Sequence, residues 1–311
     1  MSAPQVIVTP VPGQNPGAIY VQQNPNQPVV PNIPMPMQQI VPIQNQAFSQ
    51  YVYVIDPLAE LAQCQSAYIK QEPEYFEAFT GCETPNRYHV FCSNNNVIKY
   101  LFKCREVSGY CERMCCPANN RTFSMEIRHI TSSSDYLTLF DSNNLYANIF
   151  KPCQCTCCCF CRPKMTITIN KNNQIVGSVV DECSVCDPLF GIYDETGQNM
   201  YTLTTECCQC GICCANNYCG KTSEVIFPIY KNGNLSQPVG TIRKKPADSF
   251  SELITSADSY QILFPIDATP IQKFLLICNA LMIDYQYFEE AANESNHHRH
   301  GYGYRYRHRY Y

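Results

Sequence analysis

Tryptophan is absent from the 311-residue chain, whose aromatic content rests on 22 tyrosines and 15 phenylalanines. An apolar run long enough for a comfortable membrane span, roughly 20 residues, is missing too. The most apolar stretch, after Lys273, soon meets Asn279 and Asp284. The first residues, Met1 to Pro10, hold neither a basic segment nor a long apolar core, so no secretory leader is expected and a reducing compartment is the default. Ser2 in place of glycine excludes N-myristoylation. Surplus positive charge is also lacking: a net charge of −4 and a pI near 5.9 argue against bulk nucleic-acid binding. No G-x-S-x-G, Walker loop, dinucleotide fingerprint or H-E-x-x-H occurs, and the region expected to be ordered holds only His89 and His129. No enzyme is expected.

Cysteine is present in excess, at 22 residues. Six fall within nine positions: Cys153, Cys155, Cys157, Cys158, Cys159 and Cys161. Neighbouring side chains point apart and disulfide geometry is narrow, so this run cannot all ligate one metal or pair internally. It suits S-acylation, in which adjacent thioesters hold a protein to a membrane at about 0.8 kcal/mol per buried CH₂. A second set, Cys183, Cys186, Cys207, Cys208, Cys210 and Cys213, has the approximate spacing of a four-cysteine zinc ribbon. Zinc binding, further acylation and unmodified thiols all stay open for it.

Composition divides the chain. Residues 1–48 are rich in Pro, Gln and Asn, with Pro25, Pro28, Pro31 and Pro34 at the three-residue period of a polyproline II helix. They read as a disordered spacer or a ligand for SH3 or WW domains. Residues 49–290 form the ordered domain. Asp56 is an N-cap for a short helix, Pro57–Cys64, with proline in its first turn. Short β-branched or alternating runs follow, among them Tyr88–Phe91, Val97–Phe102, Thr122–Ile127, Tyr136–Phe140, Met165–Ile169, Gln174–Val180, Asn199–Thr204, Glu224–Ile229, Val239–Ile242 and Tyr260–Phe264. Turn residues such as Asn94 to Asn96 and Asn232-Gly233 separate them, which predicts an antiparallel barrel or sandwich. The segment 270–288 is apolar on nearly every face after Lys273, so it is a helix threaded through protein or a membrane span. Residues 291–311 form a disordered tail of Arg, Tyr and His.

Four stretches carry a resemblance to the phospholipid scramblase family, from about Leu61 to Glu289. They are Glu77-Ala-Phe-Thr-Gly-Cys-Glu-Thr-Pro-Asn-Arg-Tyr88, Cys111-Glu-Arg-Met-Cys-Cys-Pro117, Cys157-Cys-Cys-Phe-Cys161, and Phe264-Pro-Ile-Asp267 with its following apolar helix. The third resembles the family's C-C-C-P-C-C acylation motif, with Phe160 for proline and Arg162 for the last cysteine. The resemblance implies a mainly β fold: a closed, tubby-like antiparallel barrel around a central C-terminal helix. It implies calcium-triggered, ATP-independent movement of membrane phospholipids between leaflets, on a protein acylated at the cytoplasmic face of the plasma membrane. A lipid-tethered adaptor without transport is the alternative.

The resemblance also places calcium ligands at Ser256, Asp258, Tyr260, Ile262, Phe264 and Asp267 of a twelve-residue loop. Only Asp258 and Asp267 are carboxylates, Ser256 and Thr269 stand where the family has aspartate, and Gln261 stands for a turn glycine. The expectation is a weak site, on the order of 10⁻⁴–10⁻³ M or worse. The other reading of the same residues is an ordinary strand, Tyr260–Phe264.

Overall fold

The computed structural model describes residues 40–41, 52–53, 56–72, 85–95, 97–109, 121–131, 144–153, 160–213, 223–245 and 259–288. The chain divides into two units, 1–54 and 55–311. In the first, β1 (Ile40–Val41) pairs antiparallel with β2 (Val52–Tyr53).

The second unit begins with α1 (Pro57–Gln63), whose first turn is capped by Asp56 through a hydrogen bond from the Leu58 amide at 3.0 Å. Twelve strands follow: β3 (Ser66–Gln71), β4 (Arg87–Asn94), β5 (Val97–Glu106), β6 (Phe123–His129), β7 (Leu145–Lys151), β8 (Lys164–Ile169), β9 (Gln174–Asp181), β10 (Leu189–Asp194), β11 (Asn199–Thr204), β12 (Val225–Lys231), β13 (Pro238–Lys245) and β14 (Ser259–Leu263). Each pairs antiparallel with the next, and β14 returns to β3, matching Tyr260 with Ile69 and Ile262 with Ala67. The sheet therefore closes into a barrel and leaves no exposed edge. Short polar connections let consecutive strands reverse: Asn95, at φ 47°, lies between the paired Asn94 and Val97, and its small side chain tolerates that conformation.

Alternate residues of each strand face inward. Tyr88, Val90 and Cys92 of β4, Met125 and Ile127 of β6, Ile149 of β7 and Ile167 of β8 are all buried. The intervening positions, such as Ser124, Glu126, Asn148, Thr166, Thr168 and Arg243, are polar and less buried. Apolar inside and polar outside is the reverse of a transmembrane barrel.

The interior is filled by α2 (Pro270–Tyr287). Thr269 caps it in a reciprocal capping box with Gln272, and Pro270 occupies its first turn. Every residue from Lys273 to Tyr285 is buried. That uniform burial is why the helix is apolar all round rather than striped. Gly177 of β9 lets it approach the wall, since a Cβ there would lie 2.8 Å from Leu275 Cδ1 and 2.5 Å from the Tyr193 carbonyl oxygen. The helix is fastened at both ends. Lys273 Nζ donates to the carbonyls of Leu61, Ala62 and Cys64 at 3.1, 3.0 and 2.7 Å, at the C-terminal end of α1. Asp284 accepts from the Tyr88 and Tyr260 hydroxyls, both at 2.6 Å.

Of the two expectations for residues 270–288, the threaded helix is the one observed, and it ends at Tyr287 with Phe288 as its cap. Among the described residues no helix is long and apolar enough to cross a membrane. Strands β3, β7 and β10 were not among the runs picked out from the sequence, and 136–140 lies outside the described residues. Asn279, midway along the helix, is fully buried with neither amide atom hydrogen-bonded among the described residues. Asn279→Leu is therefore expected to raise stability by about 1–3 kcal/mol, because it removes an unpaired buried polar group; equilibrium denaturation of the full chain measures it.

Candidate functional site

Because consecutive strands alternate in direction, their connectors alternate between the two ends of the barrel. One end carries α1 and the start of α2. The other carries the end of α2 and the connectors β3–β4, β5–β6, β7–β8, β9–β10, β11–β12 and β13–β14. Among the described cysteines, Cys64, Cys92, Cys104 and Cys278 are buried in the body of the protein. The other eight, Cys153, Cys161, Cys183, Cys186, Cys207, Cys208, Cys210 and Cys213, all stand on connectors of the second end.

Three consecutive connectors hold them, and each is tied down. The first, between β7 and β8, starts beside Lys151, which is fully buried and donates to the Arg121 carbonyl at 2.6 Å. Burial, aided by the nearby Arg121 cation and opposed by Cys153, pushes the Lys151 ammonium down to about 8. The same connector ends at Arg162, whose Nη2 reaches Asp181 Oδ1 at 2.6 Å and whose Nε reaches the Asp181 carbonyl at 3.1 Å. Asp181 is the last residue of β9, where the second connector, between β9 and β10, departs. Burial pushes its carboxyl up to about 6 despite the opposing Arg162. That connector carries Cys183 and Cys186 and is joined to the third through Asp187 Oδ1, which accepts from the Cys207 amide at 2.9 Å. The third, between β11 and β12, is held to the wall by Gln209, which exchanges hydrogen bonds with the Ile226 amide and carbonyl at 3.0 and 3.1 Å. Its one-turn helix, Cys210–Cys213, exposes Cys210 and Cys213, and Cys208 just before it is exposed too. The Cys207 and Cys208 sulfurs are 3.9 Å apart, and that contact, ahead of burial and Asp187, pushes Cys207 up to about 11. Phe160 and Val185 project from the same surface at 76% and 95% exposure.

Beneath this surface, around the end of α2, lies a buried polar cluster. Arg121 and Glu106 are each 1% exposed, 3.4 Å apart, and Arg121 Nε donates to the Tyr285 hydroxyl at 3.0 Å. Glu106 Oε2 accepts from the Asn86 amide and Nδ2 at 3.1 and 2.9 Å. The Arg121 guanidinium and Lys151 ammonium lie 5.3 and 5.8 Å from the Tyr285 ring centroid. The cluster ties the helix end to Glu106 of β5 and to Arg121 just before β6, and Lys151 at the end of β7 bonds to the same segment.

The residues singled out from sequence are placed unevenly. Cys155, Cys157, Cys158 and Cys159, with Ser256 and Asp258, lie outside the described residues, as do Pro25 to Pro34 and the tail. Residues 259–263 are strand β14. Tyr260 and Ile262 point into the core, Phe264 packs against it, and exposed Asp267 is paired with Lys231 at the far end of the barrel. The described members of the calcium set thus do not converge. Gln261 faces outward and donates to the Tyr68 hydroxyl at 3.3 Å, and Thr269 serves as the helix cap. Cys183 is disulfide-bonded. Among the described residues no three His, Cys, Asp or Glu side chains gather to hold a metal. Sequence reading missed Lys151, Arg121, Glu106 and Tyr285. Charged residues bordering turn-rich segments look solvent-facing, and no spacing distinguishes these.

The Scramblase family model matches residues 47–290. Phospholipid scramblase 1 of Mus musculus is 27% identical over 238 residues, covering 76% of this chain and 65% of that protein. The Homo sapiens phospholipid scramblase 1 is 26% identical, covering 76% and 67%, and phospholipid scramblase 2 of Bos taurus 27%, covering 76% and 73%. The chain thus spans about two thirds of the length of the phospholipid scramblase 1 proteins it matches, 65% in the mouse. No solved structure matches significantly. With a family match over most of its length and a closed barrel around a buried helix, the chain belongs to the scramblase family.

Proposed function

We propose that the protein moves phospholipids between the two leaflets of a membrane, in both directions, without ATP and in response to calcium. It would work at the cytoplasmic face of the plasma membrane, attached through thioesters on Cys153, Cys155, Cys157, Cys158, Cys159 and Cys161. The observation that carries this reading is the family match over residues 47–290, joined to relatives whose names specify phospholipid scrambling. No covalent bond of the lipid changes. The barrier is the passage of a polar headgroup through hydrocarbon, and the task is to lower it. The position of Cys153 and Cys161 on one end of the barrel supports attachment by that end. A lipid-tethered adaptor is the second reading. It is favoured by the burial of α2 inside the barrel and by the scattered calcium candidates.

The test is reconstitution of the purified full chain in liposomes with a fluorescent lipid, reduced from outside by dithionite, with and without millimolar calcium. Scrambling is expected to bleach fluorescence beyond the outer-leaflet half, more so with calcium. Bleaching that stops at half in both conditions, with folded and inserted protein, would select the adaptor. Since Asp267 is engaged by Lys231, Asp267→Asn is expected to leave the calcium response unchanged. A response abolished by this substitution would restore the loop reading.

A further inference from the structure

The attachment just proposed uses only the first cysteine connector, but the third has the same exposure and faces the same way. Between them the second connector acts as a tie, through Arg162–Asp181 on one side and Asp187 with the Cys207 amide on the other. Strands β7 to β12 lie side by side at about 4.8 Å spacing, so the three connectors cover roughly 25 Å of the rim. The result is one surface with exposed cysteines at both extremes and apolar Phe160 and Val185 between or beside them.

We propose that Cys208, Cys210 and Cys213, together with Cys207, form a second S-acylation site whose chains enter the same leaflet as those of the first. This rests on the reading of the first cluster as a membrane anchor. A zinc site would need about four thiolates converging on one point, and the described cysteines of this end do not gather in that way. The group transferred is a long-chain acyl chain from an acyl thioester. The cysteine thiolate attacks the thioester carbonyl, the new S–C bond forms, the donor's S–C bond breaks, and the donor leaves as a thiol carrying the proton that the cysteine gave up. No oxidation or reduction takes place. Contact with Cys208 holds the Cys207 thiol high, which disfavours its thiolate as the attacking group.

The second site has a geometric consequence. One acyl chain binds a membrane only marginally and reversibly, and stable attachment takes two signals. Two acylated patches about a barrel's width apart on one rim do more than add affinity. They set the end bearing the α2 C-terminus flat against the bilayer, where a single tether would leave the barrel free to swing.

The experiment is a count of hydroxylamine-cleavable thioesters by mass-tag exchange, on the full chain expressed in cells that acylate proteins. Three forms are compared: the unaltered protein, a second-cluster variant with Cys207, Cys208, Cys210 and Cys213 changed to serine, and a first-cluster variant with the six cysteines from Cys153 to Cys161 changed to serine. The unaltered protein is expected to carry up to four more tags than the second-cluster variant. Matched melting temperatures establish that lost tags are not a lost fold. Equal counts in these two forms would overturn the proposal while the first-cluster anchor stands. No tags on the unaltered protein would overturn both. A first-cluster variant that keeps the full count would remove the anchor reading and leave the second site.

Discussion

Arg121→Met is expected to destabilise the protein by roughly 3–5 kcal/mol, the usual consequence of removing one partner from a buried ion pair. Arg121 and Glu106 are both almost completely inaccessible, and Arg121 is the cation paired with Glu106 among the described residues. Among the described residues, the substitution leaves the carboxylate only the Asn86 amide and Nδ2 as donors. It also takes a donor from the Tyr285 hydroxyl at the end of the central helix. Adding Glu106→Gln should return much of the loss, because a neutral amide does not need the cation. Urea denaturation of the two variants against the parent gives both numbers. A single variant as stable as the parent would mean that the cluster is solvated in solution.

The second large effect is expected from Phe274→Ala, about 3–5 kcal/mol for a fully buried phenylalanine. Phe274 stands on the first full turn of the helix within the barrel. Its ring centroid lies 5.5 Å from that of Phe102 and 5.3 Å from that of Tyr146, the latter edge-on. The closed wall cannot collapse into the space left behind, so the cavity term adds to the lost contacts. The same denaturation series, read at constant m-value, separates this loss from a change in cooperativity. A change under 1 kcal/mol would show that the helix can shift along the barrel axis.

Several elements were legible in the chain itself. The alternation of short β-branched runs with Asn and Gly turns specified an antiparallel all-β domain, because side-chain direction has a period of two and reversal needs residues that tolerate special dihedrals. The cap residues Asp56 and Pro57, and the apolar character of 270–288, marked two helices nearly to the residue. What composition could not specify was the surroundings of each residue. An apolar helix holding Asn279 and Asp284 is compatible with lipid or with a protein interior, and only strand closure around it, with Tyr88 and Tyr260 supplying hydroxyls to Asp284, selects the interior. The stretch 256–267 reads equally as a loop or a strand until β13 and β3 are seen to pair with its residues 259–263 on both sides. Tertiary structure likewise decided that cysteines up to sixty residues apart in sequence, Cys153 and Cys213, share one end of the molecule. The physical reason is topological: in a closed meander every second connector emerges on the same side, whatever residues it carries.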